Sequence, residues 1–304
     1  MPESVLTTPH AKLLDGKAIA ARIRQNVALE VGSLTAAGKP IQLVTVLVGN
    51  SPAARVYAGN QAKTCRELGI GYTLRELTED ISQPQLNAVL QGLAADHSVT
   101  GIMVQLPLPP HLNTQETQYG IDVIKDVEGV NPANIGHVVY GHSIIAPCTA
   151  AAVVEMIAST GVSLTGKEVV VVGASRIAGK PTALLLTEMQ ATVTLCHIHT
   201  RDLPSHSRKA DIVVVAVGKP GLITSQHIKP GAMVIDVGIN RIQVPGLDGR
   251  MIDRTVGDVD FASVSPLAGW LSPVPGGVGP VTVAMLLRNT VRAAKLVHGI
   301  EKPF

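Results

Sequence analysis

Aromatic residues are scarce in this chain of 304: two Phe, one Trp and four Tyr make up 2%. That leaves little for the ring platforms on which single-stranded nucleic acid stacks. Charge is thin too, at 16%, and nearly balanced, with a formal net of +2. No block of like charge interrupts it, so no nucleic-acid partner is expected. The three cysteines, Cys65, Cys148 and Cys196, are odd in number and lie far apart. They match no zinc spacing, and point to reduced thiols, no metal and a cytoplasmic protein. No run reaches the roughly 18 apolar residues of a membrane helix, so no membrane partner is expected. Met1–Lys17 lacks a basic start followed by an apolar run, so no secretory signal is expected there.

Apolar material is ample by contrast, at 46%. Domains usually run to about 100–200 residues, so the length suggests two. The pattern alternates helix and strand. Ile19, Ile23, Val27 and Val31 recur every fourth residue, one face of a helix. Ile41–Gly49 is a short β-branched run closed by glycine, a buried strand. Ala53–Leu68 reads as a helix, Gly71–Leu77 as a strand, and Ser82 as the N-cap of the next helix. Gly101–Gln105 reads as a strand stopped by Pro107, Pro109 and Pro110. A second unit starts near Leu164. Its strands are Glu168–Gly173, Thr192–His197, Asp211–Gly218 and Ala232–Gly238, with a helix over Ile177–Glu188. The segment Ala146–Thr149 suits a hinge, and a helix over Thr282–Val297 closes the chain. The fold class is α/β, in two domains with mostly parallel sheets.

Strand Glu168–Val172 runs into Gly173-Ala174-Ser175-Arg176-Ile177-Ala178-Gly179. A tight turn between a buried strand and a helix lets backbone N–H groups face a pyrophosphate. The spacing is Gly-x5-Gly, and taken alone it fits an ordinary glycine turn as well. Two further strands end in glycine, at Gly218 and Gly238, where a nucleotide laid across the strand ends needs close approach. The acid that would hold a ribose 2′-OH after the second strand is missing from Thr194–Arg201. Arg176, His199 and Arg201 are basic instead, which leans towards a 2′-phosphate and hence NADP, with NAD open.

Other motifs stand outside that loop. Tyr57 and Gln61 are four apart on one helix face. Then come Gln105-Leu106-Pro107-Leu108-Pro109, Lys125-Asp126-Val127-Glu128-Gly129-Val130-Asn131-Pro132 and Pro147-Cys148-Thr149. Gly257-Asp258-Val259-Asp260-Phe261 and Pro273-Val274-Pro275-Gly276-Gly277-Val278-Gly279-Pro280-Val281-Thr282 follow. In this order the motifs resemble the bifunctional methylenetetrahydrofolate dehydrogenase/methenyltetrahydrofolate cyclohydrolase family, over about Leu13–Ala294.

The resemblance implies a folate-binding catalytic domain, residues 1–148 plus 280–304, and a Rossmann-like NAD(P)-binding domain, residues 149–279. It implies an active-site cleft between them and a homodimer. Tyr57 would stack on the aminobenzoyl ring of a tetrahydrofolate one-carbon derivative. Glu128, where the family usually has Asp, would read the pterin. Leu106, Pro107 and the loop Pro275-Gly276-Gly277 would line the substrate. The coenzyme would lie on Gly173, Ala174, Ser175, Arg176, Gly179, His197, Thr200, Gly218, Gly238 and Ile239.

The family's hydrolase chemistry uses a lysine four residues after the tyrosine, held by the glutamine that matches Gln105. Here that place is taken by Gln61, whose amide does not titrate near neutrality. Lys63 lies about 200° round the helix and reads as a solvated lysine. The resemblance therefore implies an NAD(P)-dependent methylenetetrahydrofolate dehydrogenase with its cyclohydrolase activity lost or reduced. A fully bifunctional enzyme and a non-catalytic or altered-pterin paralogue are the alternatives. The family's phosphate-contacting positions are apolar here, at Ala174 and Ile198.

Overall fold

Valine- and isoleucine-rich runs closed by glycine or proline have little choice but to pair as buried strands. A computed structural model describes residues 11–245 and 250–302; the N-terminal part of the expected folate domain, residues 1–10, lies outside the described residues. The strands are β1 (Lys12–Leu13), β2 (Gln42–Val48), β3 (Gly71–Leu77), β4 (Gly101–Val104), β5 (Glu168–Val172) and β6 (Thr192–Cys196). After them come β7 (Ile212–Val215), β8 (Met233–Asp236), β9 (Asn240–Pro245), β10 (Met251–Val256) and β11 (Trp270–Leu271). The first helices are α1 (Gly16–Ala36), α2 (Pro52–Glu67), α3 (Gln83–Ala95), α4 (Thr114–Gly120) and α5 (Pro132–Val139). The rest are α6 (Cys148–Ala158), α7 (Gly179–Glu188), α8 (Leu203–Ser207), α9 (Phe261–Val264) and α10 (Val278–Val297).

The chain divides into two units. One holds Ala21–Cys148 with Val283 onwards; the other holds Thr149–Thr282 with the residues up to Ala20. In the first, β3-β2-β4 form a parallel sheet, with Val44 beside Ile102 and Val46 beside Val104. Leu86 and Leu90 of α3 pack on that face, both fully buried. Ser82 and Gln85 form a capping box at the head of α3, and the α3 C-terminus is closed by Lys125. Its Nζ donates to the carbonyls of Leu93, Ala94 and Asp96 at 3.1, 2.6 and 2.8 Å.

In the second unit six parallel strands run β1-β11-β8-β7-β5-β6. Their core is small and branched: Val170, Val172, Val213, Val215, Val234 and Leu271. The antiparallel β9–β10 ribbon has no counterpart among the expected elements. The residues of β9 alternate between half-buried and exposed, but those of β10 are mostly exposed, too polar a pattern for the pair to stand out from loop. Among the described residues no helix is long and apolar enough to cross a membrane.

Helix α10 starts at Val278, four residues before the expected Thr282, so the end of the proline–glycine motif is its first turn. Pro280 is tolerated there because first-turn N–H groups have no partner within the helix. Further along, Asn289 Nδ2 donates to the carbonyls of Val127 and Ala146, each at 3.0 Å, and the side chain is 1% exposed. Arg292 Nη1 donates to the Ile144 carbonyl at 2.8 Å. These bonds fix the segments on either side of α5 to the last helix. Replacing Asn289 with Ala strands two buried carbonyls. It should lower stability by about 2–3 kcal/mol, read as a lower urea midpoint at unchanged slope.

Candidate active site

In the Ala21–Cys148 unit the predicted residues sit in the middle of α2, just after β4 and in the loop before α5. Helix α2 is capped by Ser51, which accepts from the Ala54 N–H at 3.4 Å, with Pro52 in the first turn. It carries Tyr57, 39% exposed, and one turn on Gln61, 5% exposed. The Tyr57 hydroxyl is pushed up to about 12, first by burial, then by the charges of Glu128, Cys148 and Tyr72. These groups therefore share one neighbourhood, although they come from α2, β3, the pre-α5 loop and α6.

Glu128 stands in a turn built by its neighbour. Asp126 Oδ1 accepts from the Gly129 N–H at 3.1 Å. Its Oδ2 accepts from the Asn131 N–H at 2.8 Å and from Asn134 Nδ2 at 2.9 Å. Gly129 has φ +69°, and a Cβ there would lie 2.5 Å from the Ala146 carbonyl carbon. Glu128 has no such set of donors. Burial pushes its carboxyl up to about 8 and the Asp126 charge adds to this, while a bond with the Val104 backbone offsets part of it.

Gln61 is engaged with the sheet. Its Oε1 accepts from Thr45 Oγ1 at 3.0 Å and from Tyr72 OH at 3.1 Å, and its Nε2 lies 3.2 Å from Met103 Sδ. Gln105 follows β4. Its Oε1 is buried without a hydrogen-bond partner, and its Nε2 reaches only the Leu106 carbonyl, at 3.5 Å. Leu106 and Pro107 are exposed beside it, joined by a cis peptide. Lys63 pairs at 4.0 Å with Glu67, its side chain 75% exposed, a solvated surface lysine as its helical position predicts. Thr45, Tyr72 and Asn289 are neighbours of the site that sequence reasoning missed. Each lies on an element whose own pattern is satisfied by packing, so nothing local marked them.

In the Thr149–Thr282 unit the Gly-x5-Gly loop is a tight strand-to-helix turn. A Cβ on Gly173, at φ +114°, would lie 2.1 Å from the Ala216 carbonyl oxygen. One on Gly179 would lie 1.7 Å from the Gly173 carbonyl oxygen. Gly179 thus lets the head of α7 press onto the end of β5, and Gly173 lets that end press onto the chain after β7. Ser175 Oγ accepts from the Gly179 N–H at 3.2 Å, and no side chain caps α7 at Ala178. This leaves the cradle narrow and lined by backbone, which suits a pyrophosphate.

After β6, the His197 N–H donates to Thr200 Oγ1 at 2.8 Å and the His199 N–H to His197 Nδ1 at 3.2 Å. Both imidazoles are exposed, and Ile198 between them is 93% exposed. Gly238, Ile239 and Pro275-Gly276-Gly277 line one small cavity of about 100 Å³. Gly16, at the head of α1, presses on that loop: a Cβ there would lie 1.7 Å from the Gly277 carbonyl oxygen. Arg176 is exposed in the Gly-x5-Gly loop, and Gly218 is exposed at the end of β7.

A family model described as the catalytic domain of tetrahydrofolate dehydrogenase/cyclohydrolase matches residues 14–128. One described as the NAD(P)-binding domain of the same enzyme matches residues 147–298. The chain is 46% identical over 289 residues to bifunctional protein FolD of Bordetella petrii, covering 95% of this chain and 96% of that protein. It is 48% identical over 287 residues to bifunctional protein FolD 2 of Ruegeria pomeroyi, with 94% and 96% covered. Among solved structures it resembles the bifunctional FolD methylenetetrahydrofolate dehydrogenase/cyclohydrolase of Campylobacter jejuni. The TM-score is 0.87 at 42% identity, over 94% of this chain and 99% of that one. It resembles equally the Trypanosoma brucei FolD in complex with NADP and an inhibitor, with TM-score 0.88, 37% identity and 96% and 99% covered.

The raised Glu128 carboxyl has a consequence for stability. An ordinary glutamate loses its proton near pH 4.5 in the unfolded chain but near 8 here. Its contribution is full below 4.5, declines as pH rises through that window and is lost above 8. Glu128→Gln removes the dependence. Its stability advantage over the native chain, from urea unfolding, should grow between pH 4.5 and 8 and then level off; a constant difference contradicts this.

Proposed function

Because this chain belongs to the tetrahydrofolate dehydrogenase/cyclohydrolase family, we propose that it oxidises methylenetetrahydrofolate to methenyltetrahydrofolate with NADP. The observation that carries this reading is the presence in one chain of two matching halves. One is the Tyr57 and Glu128 pair; the other is a backbone-lined Gly173–Gly179 turn within an NAD(P)-binding domain. We assign the folate part to residues 1–148 and 280–304 and the coenzyme part to 149–279, with β1 adding its strand to the coenzyme part's sheet. A homodimer acting in the cytoplasm on small-molecule folates, without nucleic acid or membrane, fits family membership.

NADP+ supplies the hydride acceptor when bound. The residues do the rest by placement. Tyr57 offers a ring face for the aminobenzoyl group, and Glu128 a carboxyl matched to the pterin's aminopyrimidinone edge. Leu106, Pro107 and the Pro275-Gly276-Gly277 loop shape the surroundings, with glycine allowing close approach. Loss of a hydride from the one-carbon bridge leaves a cation shared by two flanking nitrogens. No proton leaves in that step, so orientation suffices without a general base. Gly173, Ala174, Ser175, Arg176, Gly179, His197, Thr200, Gly218, Gly238 and Ile239 are the coenzyme contacts we assign. His199 and Arg201, after the second strand, and Arg176, in the Gly-x5-Gly loop, are the basic groups that favour a 2′-phosphate over NAD's free hydroxyl.

The relatives named above are called bifunctional, which supports methenyl hydrolysis by this chain as well. One specific observation favours a reduced hydrolase. Water addition and C–N opening call for a titrating group. At the position of the family's lysine stands Gln61, its amide bound to Thr45 and Tyr72, while Gln105 Oε1 lacks a partner. The test is one preparation assayed for both steps. Coenzyme reduction with methylenetetrahydrofolate is expected, faster with NADP+ than with NAD+. Methenyl hydrolysis should be at least about 100-fold slower than in Gln61→Lys, within the usual reach of general acid/base catalysis. Equal hydrolysis by both proteins establishes the bifunctional reading; no reduction of either coenzyme rules out the dehydrogenase.

A further inference from the structure

Two buried carboxylates of the Thr149–Thr282 unit have no part in the roles assigned so far. Asp236 ends β8 and is 3% exposed; Asp258, after β10, is fully buried. Asp236 Oδ1 accepts from the N–H groups of Gly238 and Asp258 at 2.9 and 3.0 Å, and its Oδ2 from the Val259 N–H at 2.9 Å. Asp258 Oδ2 accepts from the N–H groups of Val217 and Gly218 at 2.7 and 2.9 Å. Its Oδ1 accepts from Asn240 Nδ2 at 2.8 Å. Asp236 therefore fixes the peptide that carries Asp258, and Asp258 fixes the chain after β7 and the start of β9.

The packing leaves no slack. A Cβ on Gly238 would lie 2.3 Å from Asp258 Cγ, and one on Gly257 1.8 Å from Asp236 Oδ2. Gly218 is different: it holds φ +68°, yet a Cβ there would meet nothing within 4 Å. Its N–H is tied down to Asp258 while open space lies beside its Cα. Burial pushes Asp236 up to about 6; the backbone bonds offset part of this and the Asp258 charge adds to it. Such a penalty is typical of places where position matters to function. In parallel α/β sheets a nucleotide lies across the carboxyl ends of the strands, and Val217-Gly218 and Gly238-Ile239 are two such ends.

We propose that Asp258 is a positioning residue for the coenzyme, holding Val217-Gly218 and Asn240 in the binding conformation without touching the coenzyme itself, with Asp236 holding Asp258. This rests on the coenzyme reading of the unit.

The test titrates NADPH into the free protein by fluorescence, without folate, for the native chain, Asp258→Asn and Asp258→Ala. Asn keeps one acceptor oxygen for the Val217 and Gly218 N–H groups, and Asn240 can turn its amide to meet the new Nδ2. Its Kd should rise two- to fivefold. Ala keeps neither acceptor, and its Kd should rise tenfold or more. In both, the coenzyme KM follows Kd while the KM for folate stays within twofold. If the Ala variant does not fold, the Asn variant decides by the same split. Native-like Kd in the folded variants, or a parallel loss of folate and coenzyme binding, overturns the proposal. A native chain that binds neither NADPH nor NADH overturns the coenzyme reading itself, and this inference with it.

Discussion

A carboxylate with no access to water needs donors from every side, and Asp126 takes them all from the eight residues that follow it. Its bonds to Gly129, Asn131 and Asn134 close the turn before α5. That closure forces Gly129 into a left-handed conformation against Ala146, and it presents Val127 O to Asn289 of α10. The flanking residues then divide the remaining work. Lys125 points the other way and closes α3. Glu128, buried beside the Asp126 charge and without the donors that Asp126 has taken, is pushed up to about 8. One turn thus holds two buried carboxyls two residues apart: both are pushed up by burial, and Asp126 alone has a full set of hydrogen-bond donors to offset it.

The second unit uses the same device. Asp236 and Asp258 collect backbone N–H groups from three strand ends and so set the rim of the parallel sheet. Backbone donors suit this work better than lysine or arginine would. They cannot swing away, and they fix the path of the main chain itself, which is what a dinucleotide contacts. The glycines around these acids follow from the crowding: Gly238 and Gly257 have carboxylate atoms where a side chain would begin.

Much of the fold was legible in the residues. Short valine runs closed by glycine marked β2, β5, β7 and β8, because a strand buried on both faces has no other composition open to it. The Gly71–Leu77 strand and the Ser82 cap were also plain. The start of α10 was not, since a proline–glycine motif reads as loop until its first turn is seen. Nor was the β9–β10 ribbon, whose β10 half is mostly exposed and lacks the apolar alternation of a strand. Of the site, Gln61 one helical turn after Tyr57 was visible. The state of that side chain was not, because the partners of Gln61 lie 16, 11 and 42 residues away and meet it only through the sheet. The glycines of the Gly-x5-Gly loop were read as room for phosphate. They also make room for the protein's own backbone, at Ala216 and Gly173. Folate itself came only from the resemblance, since nothing in spacing or composition spells a pterin.

The account stands on hydride transfer from the one-carbon unit of a folate to a nicotinamide. The most direct measurement uses methylenetetrahydrofolate carrying deuterium on its bridging carbon, with NADP+ and the native chain, and reads the reduced coenzyme by NMR. The account predicts deuterium at C4 of the nicotinamide, on a single face. Reduced coenzyme without deuterium, or no reduced coenzyme at all, contradicts it.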